Sequence, residues 1–424
     1  MFHLEDKRVR ALLLEGSFGL EKESLRITPQ GRMAHTPNPF PGNEHIVRDF
    51  CENQTEINTP VLSSAQAAVD SLWGYTRQIQ QTLAALPQQE LLWPFSNPPY
   101  LHNEADIPVA QFTGGQAGKT GYREYLSDRY GRYKMTLSGI HVNYSFSDEL
   151  LRADFAASGA SDFQAYKNQL YVALAEGTAA YGWIMTALTA ASPLLDSSFV
   201  EKERYGVATF NGMASTRCSE LGYWNYFSPI FDYSNIRAYA DSIRQYVDNG
   251  LLAAPSELYY PIRLKPRGKN NLDVLRNEGV NHIELRMVDL NPLEPAGIQV
   301  KDLQFAQLLL VWLAGTPRRR LALKDRVQAV QNFKNAAHYD LKTVKIVLPG
   351  GEVYSAADAG RRVIGEMRAF YQGFPQAVQA VLDFEDEKLI DPEKRYAWQI
   401  RRQYAGAFVQ KGLALAEQRQ REAL

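Results

Sequence analysis

The sequence predicts an α+β fold, and two patterns carry the prediction. Several short stretches alternate polar and apolar residues at the two-residue period of a strand, while longer stretches between them repeat apolar residues at helical spacing. Four of the strand-like stretches keep a polar or charged side, so they fit a sheet with one wet face and one dry face.

The composition narrows the function classes. A chain of 424 residues, 45% of them apolar, can bury a large core. With 46 basic against 47 acidic residues there is no excess charge for a nucleic acid or an anionic membrane surface, which leaves small-molecule chemistry. Cys51 and Cys218 have no C-x-x-C spacing, so neither a disulfide framework nor a zinc site is expected and both should be reduced. Met1 to Arg10 carries charges and no apolar core, which reads as cytoplasmic. Gly177 to Leu195 lacks charge and is as long as a membrane span, yet its Gly, Ala, Ser and Thr content and Pro193 fit a buried helix better.

In chain order, Leu12 to Thr28 reads as a strand pair or a strand plus turn, closed by Pro29-Gln30-Gly31. Within it Glu21 and Glu23 stand two apart and point together. Such a pair is either a solvated strand face or two carboxylates held by a cation between them. Ile46 to Val61 is strand-like, with Asp49 at its start and Glu56 opposite the β-branched Thr55, Ile57, Thr59 and Val61. Ser64 caps a helix that runs through Val69, Leu72, Trp73, Ile79, Leu83 and Leu86 to Pro87. Leu91 to Tyr100 is too proline-rich for regular structure and reads as a fixed loop. Gly118-Lys119-Thr120 imitates a P-loop, but position 113, where that motif needs Gly, is Thr, so a flexible loop over a site is expected.

Tyr122-Arg123 opens a short helix to Tyr130-Gly131, and Leu137 to Phe146 follows as a strand with Ile140, Val142, Tyr144 and Phe146 on one face and His141, Asn143 and Ser145 on the other. Asp162 to Ala191 is one long helix ended by Pro193, with Gly177 and Gly182 allowing close packing. Ser215 to Phe227, with Arg217, Glu220, Tyr223, Trp224 and Tyr226, suits a polar ligand with a hydrophobic stem or a packed aromatic loop. In the last charged strand His282, Glu284 and Arg286 alternate with Ile283, Leu285 and Met287. Val300 to Ala314 is an apolar helix, and Arg318 to Arg320 reads as a solvated basic turn. The remainder is amphipathic helix, including one opened by Asp391 and Pro392, with no site chemistry and a charged end from Leu413 that should fray. Without repeats or linkers, residues 1–424 form a single expected domain, with a core of about 12–315 and a helical extension 316–424.

Glu21, Glu23, Asp49, Glu56, His141 and Glu284 together offer mostly hard oxygen ligands, which suits Mg²⁺. Several such ions imply a nucleotide, and the cations Arg123, Arg217 and Arg286 fit phosphate and carboxylate recognition.

Seven motifs then resemble, in order, the bacterial-type glutamate-cysteine ligases, including the ligase portion of bifunctional glutathione synthases. They are Gly-Leu-Glu-Lys-Glu-Ser-Leu-Arg at 19–26, Trp-Pro-Phe-Ser at 93–96, Tyr-Arg-Glu at 122–124, Ser-Gly-Ile-His-Val-Asn at 138–143, Glu-Leu-Gly-Tyr at 220–223, Glu-Leu-Tyr-Tyr-Pro-Ile-Arg at 257–263 and Ile-Glu-Leu-Arg-Met-Val-Asp-Leu-Asn-Pro at 283–292. The resemblance implies a glutamine synthetase-like fold, a curved antiparallel sheet forming a funnel with helices packed outside. It further implies ATP as a substrate and two or three Mg²⁺ ions, or Mn²⁺, held by Glu21, Glu23, Asp49, Glu56, His141 and Glu284. Arg123 and Arg286 would steady the transferring phosphate, Arg217 would hold L-glutamate, and Phe50, Tyr122, Tyr223 and Tyr259 would shape the pocket for L-cysteine. The implied reaction passes through γ-glutamyl phosphate to γ-glutamylcysteine, in a monomer or small homo-oligomer without an ATP-grasp domain. Met135 stands where the family pattern has Gln and Val142 where it has an aromatic, so both bear on the acceptor pocket. Alternatives are a γ-glutamyl ligase for another amine, a guanidino-phosphotransferase of related fold, and a non-catalytic paralogue.

Overall fold

Seven strands form one antiparallel sheet: β1 (Gly16–Ile27), β2 (Ile46–Arg48), β3 (Gln54–Asn58), β4 (Leu91–Leu92), β5 (Gly139–Phe146), β6 (Ile262–Lys265) and β7 (His282–Asp289). The computed structural model describes residues 1–201 and 204–424. The order across the sheet is β2-β3-β1-β5-β7-β6, with β4 paired to the end of β1. On the dry face Phe18, Leu20, Ile140, Val142, Tyr144, Ile283 and Leu285 are buried. Burial contributes about 1.5–3 kcal/mol for each large apolar side chain, and a slip of one residue would turn all of them outward. The dry face therefore fixes the register, and the wet face follows from it.

Helices cover the dry face. The helix α1 (Ala65–Ala84) is capped by the Ser64 hydroxyl, which accepts from the amide of Ala67. A second helix, α2 (Gly118–Tyr130), carries residues that line the opposite, wet side of the sheet. The helices α3 (Phe163–Tyr181), α4 (Trp183–Thr189) and α5 (Val300–Gly315) join α1 in the main core, and α5 is buried along almost its whole length. That core runs from Phe2 to Leu389. Among the described residues no helix is long and apolar enough to cross a membrane.

The structure departs from several expectations for identifiable reasons. Of the two readings of Leu12 to Thr28 the strand plus turn holds and the strand pair does not, with the strand beginning only at Gly16 after a short helix. Ile46 to Val61 is a hairpin, so Asp49 lies beyond the end of β2, where its amide donates to Gln54 O across the turn. Leu91-Leu92 adds two residues to the sheet before the proline-rich loop begins. The helix expected at Tyr122 starts at Gly118, so Lys119 and Thr120 lie in its first turn, and Gly114–Gln116 before them form a 3-10 turn. At Gly182 a Cβ would stand 2.5 Å from Thr178 O, and the long helix breaks there into α3 and α4. Asp391-Pro392 opens a single 3-10 turn, and the helix proper begins at Tyr396. Arg318 is not solvated, because its guanidinium lies 3.9 Å from the ring centre of Trp312.

The C-terminal end is also built in. The helix α6 (Phe408–Ala423) sets Gly412 against Trp93, where a Cβ would come within 2.4 Å of the ring. Arg419 donates to Pro292 O and Glu294 O, and Gln420 to Gln80 O and Glu90 O. This helix seats the Trp93 loop on the sheet.

Candidate active site

The register of the dry face brings the charged side chains of the wet face together. Glu21 pairs across to His141, Glu23 to Glu56, and Asn143 to Glu284. Opposite His141 the pairing of β5 with β7 shifts by one residue, so Arg286 and Met287 share that position. A bulge of this kind re-aims side chains, and here Arg286 Nη1 ends 3.1 Å from Glu284 Oε1 and 3.3 Å from His141 Nδ1.

One cavity of about 260 Å³ is lined by Glu21, Glu23, Asp49, Phe50, Glu56, Tyr122, Arg123, Met135, His141, Tyr223, Tyr259, Glu284 and Arg286. Residues from both ends of the sheet meet there, so the wet face is concave. Arg217 sits directly behind it, with Nη1 donating to Arg286 O at 2.5 Å and Nη2 lying 3.1 Å from His141 Nε2. Gly139 makes room for that guanidinium, since a Cβ there would stand 2.4 Å from Arg217 Cζ. Arg123 Nε donates to Asp49 O at 2.6 Å, with its guanidinium over Phe112. The other members of the aromatic loop do not converge: Tyr226 is exposed and Glu220 faces His338 at the surface. Val142 is buried on the dry face, because it alternates with His141, and does not line the cavity.

The carboxylates fall into two sets. In the first, Glu21, His141 and Glu284 each offer a ligand atom within 4.8 Å of the others. His141 Nδ1 lies 3.0 Å from Glu21 Oε2, and burial together with Arg286 pushes the imidazole down to about 4, so it is neutral near pH 7. Burial opposes the charge of Glu284, yet Arg286, Lys265 and Arg263 hold it well below the usual carboxylate range. In the second set, burial and Asp49 push Glu23 up to about 7. Burial with the charges of Asp49, Glu21 and Glu23 pushes Glu56 well up, and Asp49 is raised by its own burial. Mutually repelling buried carboxylates are what a divalent cation relieves. The buried Oε2 of Glu284, which has no hydrogen-bond partner, fits the same chemistry. Neither cysteine supplies a thiolate, as burial pushes Cys218 up to about 11 and raises Cys51 further.

Sequence reasoning missed several residues. Arg263 and Lys265 line the cavity from β6, and their two-residue spacing between Ile262 and Leu264 was a readable signal. A second cavity of about 360 Å³ adjoins the first through Glu21 and Lys265 and is lined by Asn143, Asn281 and His282 among others. Asp289 accepts from Ser192, Ser215 and the amide of Ala191, which fixes the loop bearing Arg217. Asn225 and Glu257 tie α2 to the segments of Tyr223 and Tyr259, and nothing in their sequence context announced it.

The chain resembles known proteins along most of its length. The family model for glutamate-cysteine ligase matches residues 1–251 and 227–336. A glutathione biosynthesis bifunctional protein of Listeria welshimeri is 35% identical over 419 residues, 95% of this chain and 54% of that protein. The chain thus spans about half the length of such bifunctional relatives. A glutamate-cysteine ligase of Clostridium acetobutylicum is 33% identical over 356 residues, 72% of this chain and 73% of that one. The crystal structure of the Francisella tularensis glutamate-cysteine ligase in complex with AMP superposes with a TM-score of 0.87 at 23% identity, covering 96% of this chain and 89% of that one. The motifs that meet in the cavity lie inside the matched stretches, and the chain belongs to the glutamate-cysteine ligase family.

Proposed function

We propose that the chain joins the γ-carboxylate of L-glutamate to the amine of L-cysteine with hydrolysis of ATP to ADP and phosphate. The observation that carries this reading is the meeting, in one cavity, of two carboxylate sets, an arginine fork and an aromatic wall, next to a second cavity that shares Glu21 and Lys265. The second cavity has room for the nucleoside, and Lys265 stands where a polyphosphate would cross into the first.

Glu21, His141 and Glu284 would hold one Mg²⁺, and Glu23, Asp49 and Glu56 would share others. Such ions supply charge neutralisation to the polyphosphate. A carboxylate is a poor acyl donor until one oxygen becomes a leaving group, which transfer of the γ-phosphoryl group to glutamate achieves. Arg286, braced by Glu284, presents a planar fork to the transferring group, and Arg123 adds charge from α2. Arg217, fixed by Arg286 O and His141, opens onto a neighbouring cavity shared with Tyr223, Tyr259 and Arg286, from which it would take the glutamate carboxylate. The acceptor amine then displaces phosphate against the wall of Phe50, Tyr122, Met135, Tyr223 and Tyr259. The reading takes the chain as cytoplasmic and residues 1–424 as one domain, the single domain being supported by the main core that reaches Leu389 and by the second core in which α6 packs with Trp93.

The test is ADP release with glutamate fixed and the amine varied. Glutamate- and Mg²⁺-dependent turnover stimulated by cysteine is expected. Stimulation by another amine alone would favour a different γ-glutamyl ligase, a reading to which Met135 in the wall lends weight. Absence of glutamate-dependent turnover with every amine would overturn both.

A further inference from the structure

Glu257 is a fully buried carboxylate that does not line the cavity. Its Oε1 accepts from Tyr130 at 2.7 Å, lies 3.0 Å from Arg129 Nε and 3.4 Å from Tyr125 Oη, and its Oε2 accepts from the amide of Ala253 at 2.6 Å. Its carbonyl accepts from Asn225 Nδ2 at 2.9 Å. The same Asn225 nitrogen also lies 3.1 Å from Tyr130 Oη, and Asn225 Oδ1 accepts from the amide of Tyr259 at 2.8 Å. Three segments distant in sequence are locked at this point: the last turn of α2, the loop two residues past Tyr223, and the segment entering Tyr259.

Each of those segments carries one aromatic residue of the wall. Tyr122 stands on α2, Tyr223 and Tyr259 meet edge to face at 5.0 Å, and Tyr130 meets Tyr259 edge to face at 5.2 Å. A buried carboxylate with a single cationic partner is poor value for stability compared with an apolar residue of the same size, whereas a fully engaged polar network fixes one geometry. Every oxygen of Glu257 is used, and two of the partners, Tyr130 and Asn225, lead to the same wall.

We propose that Glu257 is the positioning residue of the acceptor wall, acting through Tyr130 and Asn225 to set Tyr122, Tyr223 and Tyr259 against the amine substrate. The proposal rests on the reading above that this wall receives the acceptor. It separates the acceptor side of the cavity from the metal side, since the contacts of Glu257 include none of the six metal-ligand candidates.

The experiment compares steady-state kinetics of the full chain with those of Glu257→Gln and Tyr130→Phe. Gln fits the same space but leaves Arg129 without its charge partner, and Phe removes only the hydroxyl that joins Glu257 to Asn225. In both variants KM for cysteine should rise, at least ten-fold for Glu257→Gln and about three-fold for Tyr130→Phe, while KM for ATP stays within two-fold. If all KM values move together, or if only thermal stability falls, the role is structural and the proposal is overturned. If Glu257→Gln does not fold, Tyr130→Phe decides alone, and an unchanged KM for cysteine overturns the proposal. Wild-type enzyme without amine-stimulated turnover would instead overturn the functional reading and, with it, the acceptor wall.

Discussion

The two carboxylate sets of the cavity share one sheet face but are neutralised in opposite ways. Around Glu284 the protein supplies its own cations, with Arg286 Nη1 at 3.1 Å and Lys265 Nζ at 3.4 Å from the same oxygen. Around Glu23, Asp49 and Glu56 the nearby Arg123, Arg217 and Arg286 do not offset burial and the repulsion among the acids, and all three carboxylates are raised. The difference follows from strand position. Glu284 lies on β7, where β6 and the bulge bring Arg263, Lys265 and Arg286 alongside, whereas β3 and the β2–β3 turn bring only more acid to β1. One set is preorganised without a ligand, and the other is held in a conformation that a cation would complete.

The comparison is broken most severely at Glu284. In Glu284→Gln the half-buried Arg286 and Lys265 lose their shared, fully buried partner, which should lower stability by about 3 kcal/mol. Ligation should fall by roughly 10² to 10³-fold, the usual loss on removing one oriented charge stabiliser. Denaturant melts of metal-free protein and ADP-release assays read the two effects. Glu56→Gln should lose activity on the same scale yet gain stability without metal, because a neutral amide relieves the repulsion from Asp49, Glu21 and Glu23 that raises the Glu56 carboxyl. Opposite signs of the two stability changes support the comparison, and equal signs would end it. Arg286→Lys comes next, with turnover falling about 10²-fold because a point charge does not replace a planar fork. Full turnover in that variant would place Arg286 outside the reaction.

Much of the site was legible because the chemistry sits on strands. In β5 and β7 alternation with apolar residues marks His141, Glu284 and Arg286, and in β1 the two-residue spacing of Glu21 and Glu23 marks the pair, without any three-dimensional information. What escaped lies where periodicity is silent. The start of α2 is hidden by a run of glycines, and the Glu257 network is made of loop residues whose partners are far away in sequence. The stripe that seats α6 on the Trp93 loop is built partly of Gly412, Ala416 and Ala423, small residues with little hydrophobic signal, and of Arg419, buried through its bonds to backbone carbonyls. A charged helix end looks solvated in sequence whether or not one narrow face is seated.

The smallest expected effect concerns the acceptor. Met135 is buried in the turn Lys134–Thr136 and lines the cavity with Phe50 and Leu126. Its thioether gains contact with an apolar or sulfur-bearing side chain but offers no strong hydrogen bond. Cysteine and 2-aminobutyrate differ only by a thiol in place of a methyl, so a wall of this kind separates them poorly. An amide at the same point would distinguish them by one weak hydrogen bond, about 1 kcal/mol or roughly five-fold in kcat/KM. Met135→Gln should therefore raise the ratio of kcat/KM for cysteine to that for 2-aminobutyrate by this factor, and KM for ATP should stay constant. The change is small beside those at Glu284 or Glu56 because it alters selectivity without touching charge. An unchanged ratio would mean that Met135 lines the cavity but does not meet the acceptor, and selectivity would then have to reside in the aromatic residues alone.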